Sequence, residues 1–423
     1  MDHPATGAAP DSQHRTQPDS RRWYALAVIG TAFFMGVLDS TSVYAALPSI
    51  ATELAFSAAG VQWVMTAYGV TVGGLLLLGG RIADLVGRRR VFMTAVALFA
   101  VASLCCGLAW SSEVLVAARV AQGVGAAIMT PAGLSILMTV FPEGPDRNKA
   151  LGVWGGIGGI GATAGLLLGG ALTDALGWAW IFYVNVPVCL AVLVMSPLLL
   201  PESRDRARTR TFDLAGALTV TGALVLLLYA LFTMADVGWN TLQTAAMTAG
   251  AITLGGLFVV VESRSAAPLV PLRIFRSRTL LGGNLVILVA GIAVDGLLII
   301  VTLYAQQVLG YTALQFGLAM AVMTGTSVAG VMIAQHVVTR IGFRSVAAAG
   351  MALLASACLI LAQLSAHGTF VGDLLMGLLV FGAGMGAAFV AAQIAALTGI
   401  ADHESGLASG IEETSFAVGT TLG

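Results

Sequence analysis

Long apolar segments recur along almost the whole chain, and each is about as long as a membrane is thick. Crossing the hydrocarbon core of a bilayer takes roughly 20 apolar residues in helical form. The runs lie at 23–47, 60–80, 91–110, 114–140, 150–172, 180–200, 214–234, 242–261, 280–307, 313–338, 345–364 and 369–399, and a thirteenth begins near 407. Only 10% of the residues are charged, whereas soluble proteins average about 25%. The sequence therefore predicts a polytopic membrane protein and excludes a soluble multidomain enzyme.

The class of fold follows from the length and evenness of the runs. Strands of a membrane β-barrel would be about 10 residues long with alternating polarity, so an all-α fold is predicted. The four cysteines lie in apolar runs without a CxxC spacing, and no metal site or cofactor is expected. A net charge of −1 offers no field for nucleic acid. Residues 1–22 are polar and are predicted to form a disordered tail.

The positions of the basic residues predict the orientation of the chain. Nineteen of the 20 Lys and Arg residues lie before the first run or after an even-numbered run, and none lies after an odd-numbered one. Cytoplasmic loops carry such an excess of positive charge. We therefore expect a cytoplasmic N-terminus in the cell membrane. The remaining basic residue, Arg119, lies inside the fourth run.

Weak internal similarities indicate two related halves, as in many transporters. Asp39 and Asp295 are 256 residues apart, and Gly87 and Gly342 are 255 apart. The tract 123–127 also recurs at 384–388. The predicted organisation is a tail at 1–22, a six-helix bundle at 23–200, an inserted helix pair with its loops at 201–279, and a second bundle at 280–423. By comparison with the first half, the second stops about 34 residues short, and we expect an incomplete bundle.

Two acidic residues stand out because a charge at mid-membrane costs about 2.5 to 3.5 kcal/mol. Asp39 in the first run is placed about as deep as Arg119 in the fourth. An arginine that approaches and leaves an aspartate would make its proton load depend on conformation. The pair Asp39 and Arg119 is therefore the candidate proton-coupling site.

Asp295, at the equivalent place in the second half, is a candidate for binding a cationic substrate or a second proton. Asp373 and His336 lie near the ends of their runs, where ordinary solvated or structural roles are expected. Aromatic and methionine residues inside the runs are assigned to packing rather than to a cavity; they include Tyr68 and Phe182.

Five motifs in order resemble those of the fourteen-helix drug:proton antiporters of the major facilitator superfamily. They lie at 38–48, 80–89, 119–125, 161–170 and 178–187, all in the first half, and the resemblance as a whole covers nearly the whole chain. Two positions depart from the pattern: Leu166 replaces a proline of the antiporter motif, and Ala179 replaces an arginine. The resemblance implies two six-helix bundles, an inserted helix pair, and export in exchange for protons.

The resemblance also assigns roles to residues. A latch on the cytoplasmic rim would comprise Gly80, Asp84, Gly87, Arg88 and Arg89, in which the glycines permit a tight turn and the charges contact helix ends. The antiporter-motif helix would approach a neighbouring helix closely through Gly161, Gly165, Gly169 and Gly170, which in the family forms the moving interface between the two halves. Exporters of lipophilic cations in this branch carry acidic residues at the place of Glu412 and Glu413, which become further candidates for the substrate or second-proton site.

The predicted function is alternating-access export of drug-like, lipophilic or cationic small molecules by a monomer that exchanges them for protons in the lipid bilayer. Two alternatives stay open: proton-coupled uptake of a small metabolite and an inactive truncated transporter. The antiporter motif argues against uptake, but Leu166 weakens that argument. An intramembrane enzyme would need a nucleophile with a base or a metal cluster, and the five histidines are too scattered to supply one. A channel would not need two related halves.

Overall fold

The computed structural model describes residues 20–57, 60–142, 145–202, 213–237, 241–265, 268, 270–365, 368–398 and 405–423. Across these residues the regular structure is helical, which confirms the predicted all-α fold. Ten of the described helices are long and apolar enough to cross a membrane by length and composition. Because their backbone groups are paired within each helix, such elements can lie in hydrocarbon without exposed donors or acceptors.

Each of the first six predicted spans falls on helical structure, and the sixth is divided in two. The bounds are α1 Arg21–Glu53, α2 Trp63–Val86, α3 Arg88–Gly107, α4 Ser112–Val140, α5 Pro145–Leu176, α6 Trp180–Tyr183 and α7 Asn185–Leu199. Ser111 begins α4 by accepting a hydrogen bond from the Val114 amide through its hydroxyl, at 3.4 Å. That cap satisfies one of the free amides at the helix start.

The remaining spans also fall on helices. Their bounds are α8 Leu214–Val237, α9 Leu242–Arg264, α10 Arg278–Leu303, α11 Ala313–Ile341, α12 Phe343–Leu361, α13 Leu375–Leu397 and α14 Ser405–Leu422. A π-helical turn at Tyr304–Val308 extends α10, and another at Phe370–Leu374 precedes α13. Thr312 and Gln315 form a capping box at the start of α11, in which each side chain accepts the other residue's amide hydrogen.

The helices pack as two bundles with an extra pair beside them. In the first bundle α4 packs against α2 and α3, and α1 packs against α5 and α7. In the second, α13 packs against α11, α12 and α10, and α10 packs against α14. Helices α8 and α9 pack together, with α8 against α2. The bundles meet through α5 with α11 and through α2 with α14.

The structure supports the internal repeat and corrects one of its alignments. Gly87 between α2 and α3 and Gly342 between α11 and α12 both have positive φ, of 126° and 79°, a region that favours glycine. In the glycine tracts, however, Gly125 approaches the backbone of α3 and Gly384 approaches that of α12. By its packing partner, Gly384 is therefore equivalent to Gly125, whereas the sequence alignment pairs it with Gly123. The structural alignment is shifted by two residues because it follows the neighbouring helix rather than the local pattern of glycines.

Candidate functional site

A buried ion pair lies between α1 and α4 in the first bundle. Arg119 Nη1 is 2.6 Å from Asp39 Oδ2, and the two side chains are 1% and 0% exposed. The sequence analysis expected these residues to share a depth, and the structure brings them into direct contact. A charged pair removed from water is stable only when its remaining hydrogen-bonding groups are also satisfied.

Three polar side chains that the sequence analysis did not select complete this cluster. Gln122 Nε2 donates to Asp39 Oδ1 at 2.8 Å, and Asn185 Nδ2 donates to the same oxygen at 2.7 Å. Gln122 also accepts from Arg119 Nη1 at 2.6 Å and donates to Ser103 Oγ at 2.8 Å. Gln122 and Asn185 lie inside the motifs at 119–125 and 178–187. A polar amide side chain within an apolar run was the sequence feature that could have indicated them.

Arg119 is held by groups other than carboxylate as well. Its Nε donates to the Val64 carbonyl at 2.9 Å. The guanidinium carbon lies 4.2 Å from the Tyr68 ring centroid and 5.7 Å from that of Phe182, within reach of a cation–π interaction. Tyr68 and Phe182, assigned to packing from sequence, therefore also contact the cation.

The cluster combines a carboxylate, a cation and neutral amides in an apolar surrounding. Asn185 Oδ1 is buried without a hydrogen-bond partner among the described residues. Both amides, Gln122 and Asn185, donate to Asp39 independently of the arginine. Chemically, such a site can hold Asp39 with its ion partner, or keep the carboxyl hydrogen-bonded if the arginine moves away.

The glycines of α5 allow this helix to approach α1 beside Asp39. A Cβ added at Gly165 would lie 2.5 Å from the Leu38 carbonyl oxygen, and one at Gly169 would lie 2.7 Å from Ser42 Cα. At Gly161 the nearest atom would be Val37 Cβ, at 3.2 Å. These three glycines therefore allow a close approach to α1 within the first bundle, and not to the second half as the family resemblance implied. Gly170 is buried as well.

Leu166 faces the other side of α5 and packs against the second bundle. A Cβ added at Gly317 of α11 would lie 2.6 Å from the Leu166 carbonyl oxygen. Leu166 is 2% exposed and belongs to a hydrophobic cluster formed mainly by α10 to α13. α5 runs unbroken from Pro145 to Leu176, as expected where the motif lacks its proline.

Asp295 on α10 contacts the first bundle through Tyr44 of α1. The Tyr44 hydroxyl donates a hydrogen bond to Asp295 Oδ1. Asp295 is half-buried, whereas Tyr44 is 5% exposed. Asp295 is therefore not part of the Asp39 cluster, which lies within the first bundle, and forms a separate polar contact between the two bundles.

Glu412 and Glu413 lie in α14, which packs against α10 and α2. Glu412 is 5% exposed, and its Oε1 has no hydrogen-bond partner among the described residues. Glu413 is half-buried. One turn further on, Ser415 donates to Asn284 Oδ1 of α10 at 2.8 Å. Glu412 thus faces the interior of the bundle, with one carboxylate oxygen unpaired among the described residues.

The predicted latch residues lie at the turn after α2, with one correction. Gly87 adopts the conformation required by the turn, but Gly80 is helical inside α2, where an added Cβ would make only ordinary contact with Pro131. Gly80 therefore does not form the turn, since the helix continues to Val86. The side chain of Asp84 lies outside the described residues.

The two arginines of the latch contact the ends of neighbouring helices. Arg88 Nη1 donates to the Thr139 hydroxyl near the end of α4. Arg89 Nη1 donates to the Leu200 carbonyl at 3.1 Å, and its Nε lies 3.6 Å from Glu202 Oε2. Positive charge at a helix C-terminus is favourable. These contacts join α3 to α4 and α7 within the first bundle.

The remaining titratable candidates have structural environments. Asp373 accepts the amide hydrogens of Thr369 and Ser365, at 2.8 and 3.2 Å, at the start of the α13 segment. His336 is exposed, and its Nδ1 lies 2.8 Å from the Met332 carbonyl. Within the described part of the chain, no three His, Cys, Asp or Glu side chains are grouped so that they could hold a metal ion.

Comparisons with known proteins agree with this architecture. A profile of the Major Facilitator Superfamily matches residues 29–423. The chain is 38% identical to puromycin resistance protein pur8 of Streptomyces alboniger over 96% of the chain and 81% of that protein. It is 36% identical to cephamycin export protein CmcT of Amycolatopsis lactamdurans over 97% of the chain and 85% of that protein. Among solved structures, the POT family transporter PepTSo superposes with a TM-score of 0.67 at 15% identity, over 96% of the chain and 88% of that structure.

The fold and the family match show that the protein is a multi-pass membrane transporter built from two helix bundles. The chain belongs to the Major Facilitator Superfamily, and its sequence relatives include drug and antibiotic exporters. The family and these relatives are transporters.

Proposed function

We propose that the protein exports drug-like small molecules in exchange for protons, by alternating access of a site between its two bundles. The buried Asp39–Arg119 pair is the observation that carries this proposal. Ionisable residues inside a membrane bundle are energetically costly, and they generally have a functional role. Relatives named for puromycin resistance and cephamycin export favour export as the direction.

Asp39 is the proton-coupling group in this proposal, and Arg119 is its partner. When Asp39 is charged, the arginine stays paired with it; when Asp39 takes up a proton, the attraction is lost and Arg119 is free to move. Gln122 and Asn185 donate to Asp39 Oδ1, the oxygen that does not contact Arg119, and in this proposal they stay bonded to the carboxyl when the arginine leaves. The proton load of one residue would thus change the contacts between α1 and α4.

The substrate or second-proton site is proposed at Asp295, Glu412 and Glu413. All three carboxylates lie on helices of the second bundle that face the first one, α10 and α14. A lipophilic cation would find negative charge there in an apolar surrounding, as such ligands require. In this proposal the N-terminus is cytoplasmic. The segment with Arg88 and Arg89 forms the latch on the cytoplasmic rim, and the protein transports as a monomer.

The test is transport by the purified protein in liposomes with an imposed proton gradient. Asp39→Asn keeps the shape of the side chain but removes its proton and charge, and we expect proton-driven efflux to be lost. The matched control is Glu53→Gln, the same chemical change at an exposed position at the end of α1, which should transport normally. Full efflux by Asp39→Asn would rule out the coupling role, and accumulation in the opposite direction would indicate uptake instead.

A further inference from the structure

Tyr44 belongs to the first bundle by sequence but is buried among residues of the second. Its ring lies in a cluster whose other members come mainly from α10, α11 and α13, including Leu298, Phe316 and Phe381. At the tip of this ring, the hydroxyl donates to Asp295 Oδ1. The tyrosine therefore joins the bundles both by packing and by a hydrogen bond to a carboxylate.

Other contacts between the bundles lie on the same side of the molecule. The α5 backbone at Leu166 meets α11 at Gly317, five residues into that helix. Beyond it, Asp174 Oδ2 near the end of α5 accepts the Leu314 amide hydrogen at the start of α11, at 3.2 Å. The bundles are thus in contact where α5 ends and α11 begins. Tyr44, two residues after Ser42, whose backbone Gly169 approaches, lies level with the part of α5 between Leu166 and Asp174.

The Tyr44 hydroxyl occupies the same Asp295 oxygen that a cationic substrate group would contact. A hydroxyl that donates to a carboxylate satisfies part of its need for a donor or a positive charge. A cationic substrate group would compete for the same oxygen. Separation of α1 from α10 would break the hydrogen bond and leave Asp295 available, so closure of the bundles and occupation of Asp295 by substrate oppose one another.

The same helix also carries the proton-coupling site. Tyr44 is five residues after Asp39 on α1, which is about 7.5 Å along the helix axis. Asp39 contacts α4 and α7 within the first bundle, while Tyr44 contacts α10 of the second. A movement of α1 that follows a change at Asp39 would therefore be transmitted to Asp295.

We propose that Tyr44 is a gating residue that occupies Asp295 while the bundles are closed at this end, so that a cationic substrate group binds Asp295 only by displacing the Tyr44 hydroxyl. This inference rests on the proposed substrate role of Asp295. The hydrogen bond to Asp295, rather than the motif position or the burial of Tyr44, is the observation behind this role.

The first experiment measures closure without a substrate. Cysteines replace Asp174 and Leu314 in a background with Cys105→Ser and Cys358→Ser, the two exposed native cysteines, and a short bifunctional thiol reagent links the pair. Tyr44→Phe should slow the cross-linking severalfold, because it removes the hydroxyl and keeps the ring. Tyr304→Phe is the matched control, since that hydroxyl bonds to Ser365 within the second bundle, at 2.8 Å, and its cross-linking rate should not change. Equal rates for Tyr44→Phe and the parent would overturn the gate.

The second experiment measures binding of tetraphenylphosphonium to the purified protein. Tyr44→Phe should bind the probe roughly tenfold more tightly, because a hydrogen bond to a charged acceptor no longer competes. Asp295→Asn should lose binding with either residue at position 44. An unchanged Kd in Tyr44→Phe, with binding lost in Asp295→Asn, overturns the gate and leaves the proposed function standing. If Asp295→Asn binds as well as the parent, the substrate role of Asp295 fails, and the displacement step fails with it.

Discussion

At the scale of single residues, Asp39 is surrounded by groups that compensate for its charge. It receives hydrogen bonds from Arg119, Gln122 and Asn185, and none of these side chains is more than 1% exposed. A buried charge without such partners would shift the balance toward unfolding or misinsertion. The same arrangement makes the site sensitive to the loss of any one member, which leads to a measurable expectation for stability.

Removing Arg119 alone should destabilise the protein more than removing the whole pair. Arg119→Ala leaves Asp39 as an uncompensated buried charge, a change that costs roughly 3 to 5 kcal/mol in buried pairs. In the double variant Asp39→Ala with Arg119→Ala, part of this loss should be regained. The measurement is the midpoint of thermal unfolding in detergent. A double variant less stable than Arg119→Ala would contradict the view that the arginine compensates for Asp39.

At the scale of helices, the glycines of α5 set the distance to α1. Those at 161, 165 and 169 face α1, whereas Gly156 and Gly159 have nothing within 4 Å of an added Cβ. Small residues at a membrane helix contact let the two backbones approach closely, and association there depends on packing rather than on the hydrophobic effect. Position on the helix, rather than glycine content, therefore determines which glycines matter.

Gly165→Ala should impair transport, whereas Gly159→Ala should not. A methyl group at 165 would meet the Thr41 hydroxyl and the Leu38 carbonyl oxygen, so α5 would have to move away from α1 next to Asp39. Overpacking of this kind costs about 1 to 3 kcal/mol, and we expect efflux to fall at least severalfold. Efflux of a fluorescent lipophilic cation from cells tests both variants at equal membrane abundance. Normal efflux by Gly165→Ala would show that the close approach is not needed.

The turn glycines offer a second expectation at this scale. Gly87 has φ of 126°, a conformation that side chains rarely adopt, and it joins α2 to α3. Gly87→Ala should therefore lower the unfolding temperature and the abundance of the protein in the membrane. Gly80→Ala, in the interior of α2, should have little effect on either quantity, because its Cβ would make ordinary contact. Equal losses in the two variants would contradict the assignment of the turn to Gly87.

At the scale of the whole molecule, the distribution of basic residues predicts which ends of the helices face the cytoplasm. The segments after even-numbered spans carry the arginines, including Arg88 and Arg89 in the first turn of α3 and Arg344 in the first turn of α12. Turns after odd-numbered spans are without Lys and Arg. The charges thus predict the orientation of the two bundles in the membrane, and labelling can test it.

We expect a cysteine at Trp110, between α3 and α4, to react with a membrane-impermeant maleimide in intact cells. A cysteine at Ile341, at the end of α11, should react only after permeabilisation. Both positions are exposed, at 80% and 55%, and the exposed native cysteines at 105 and 358 are first replaced by serine. The reverse labelling pattern would contradict the charge-based topology.

Much of the fold could be derived from the sequence alone, because the free-energy cost of a polar residue in hydrocarbon depends mainly on that residue and its own segment. The thirteen predicted spans correspond to the observed helical segments, and the choice of Asp39 and Arg119 as candidate residues followed from the cost of charge in hydrocarbon. The motif glycines of α5 could likewise be predicted to face a close neighbour. None of these inferences requires knowledge of which way a helix is rotated.

Only the tertiary structure decided the contacts that depend on rotation and register. Gln122, Asn185 and Ser103 join Asp39, and Tyr44 reaches Asp295, because α3, α4, α7 and α10 turn particular faces inward. The two-residue shift of the glycine tract arose in the same way. A helix that is apolar on all sides has no polar stripe to fix its rotation, since lipid and helix interior are equally apolar. Packing between small residues selects the rotation, and it is a property of the assembled bundles rather than of any single segment.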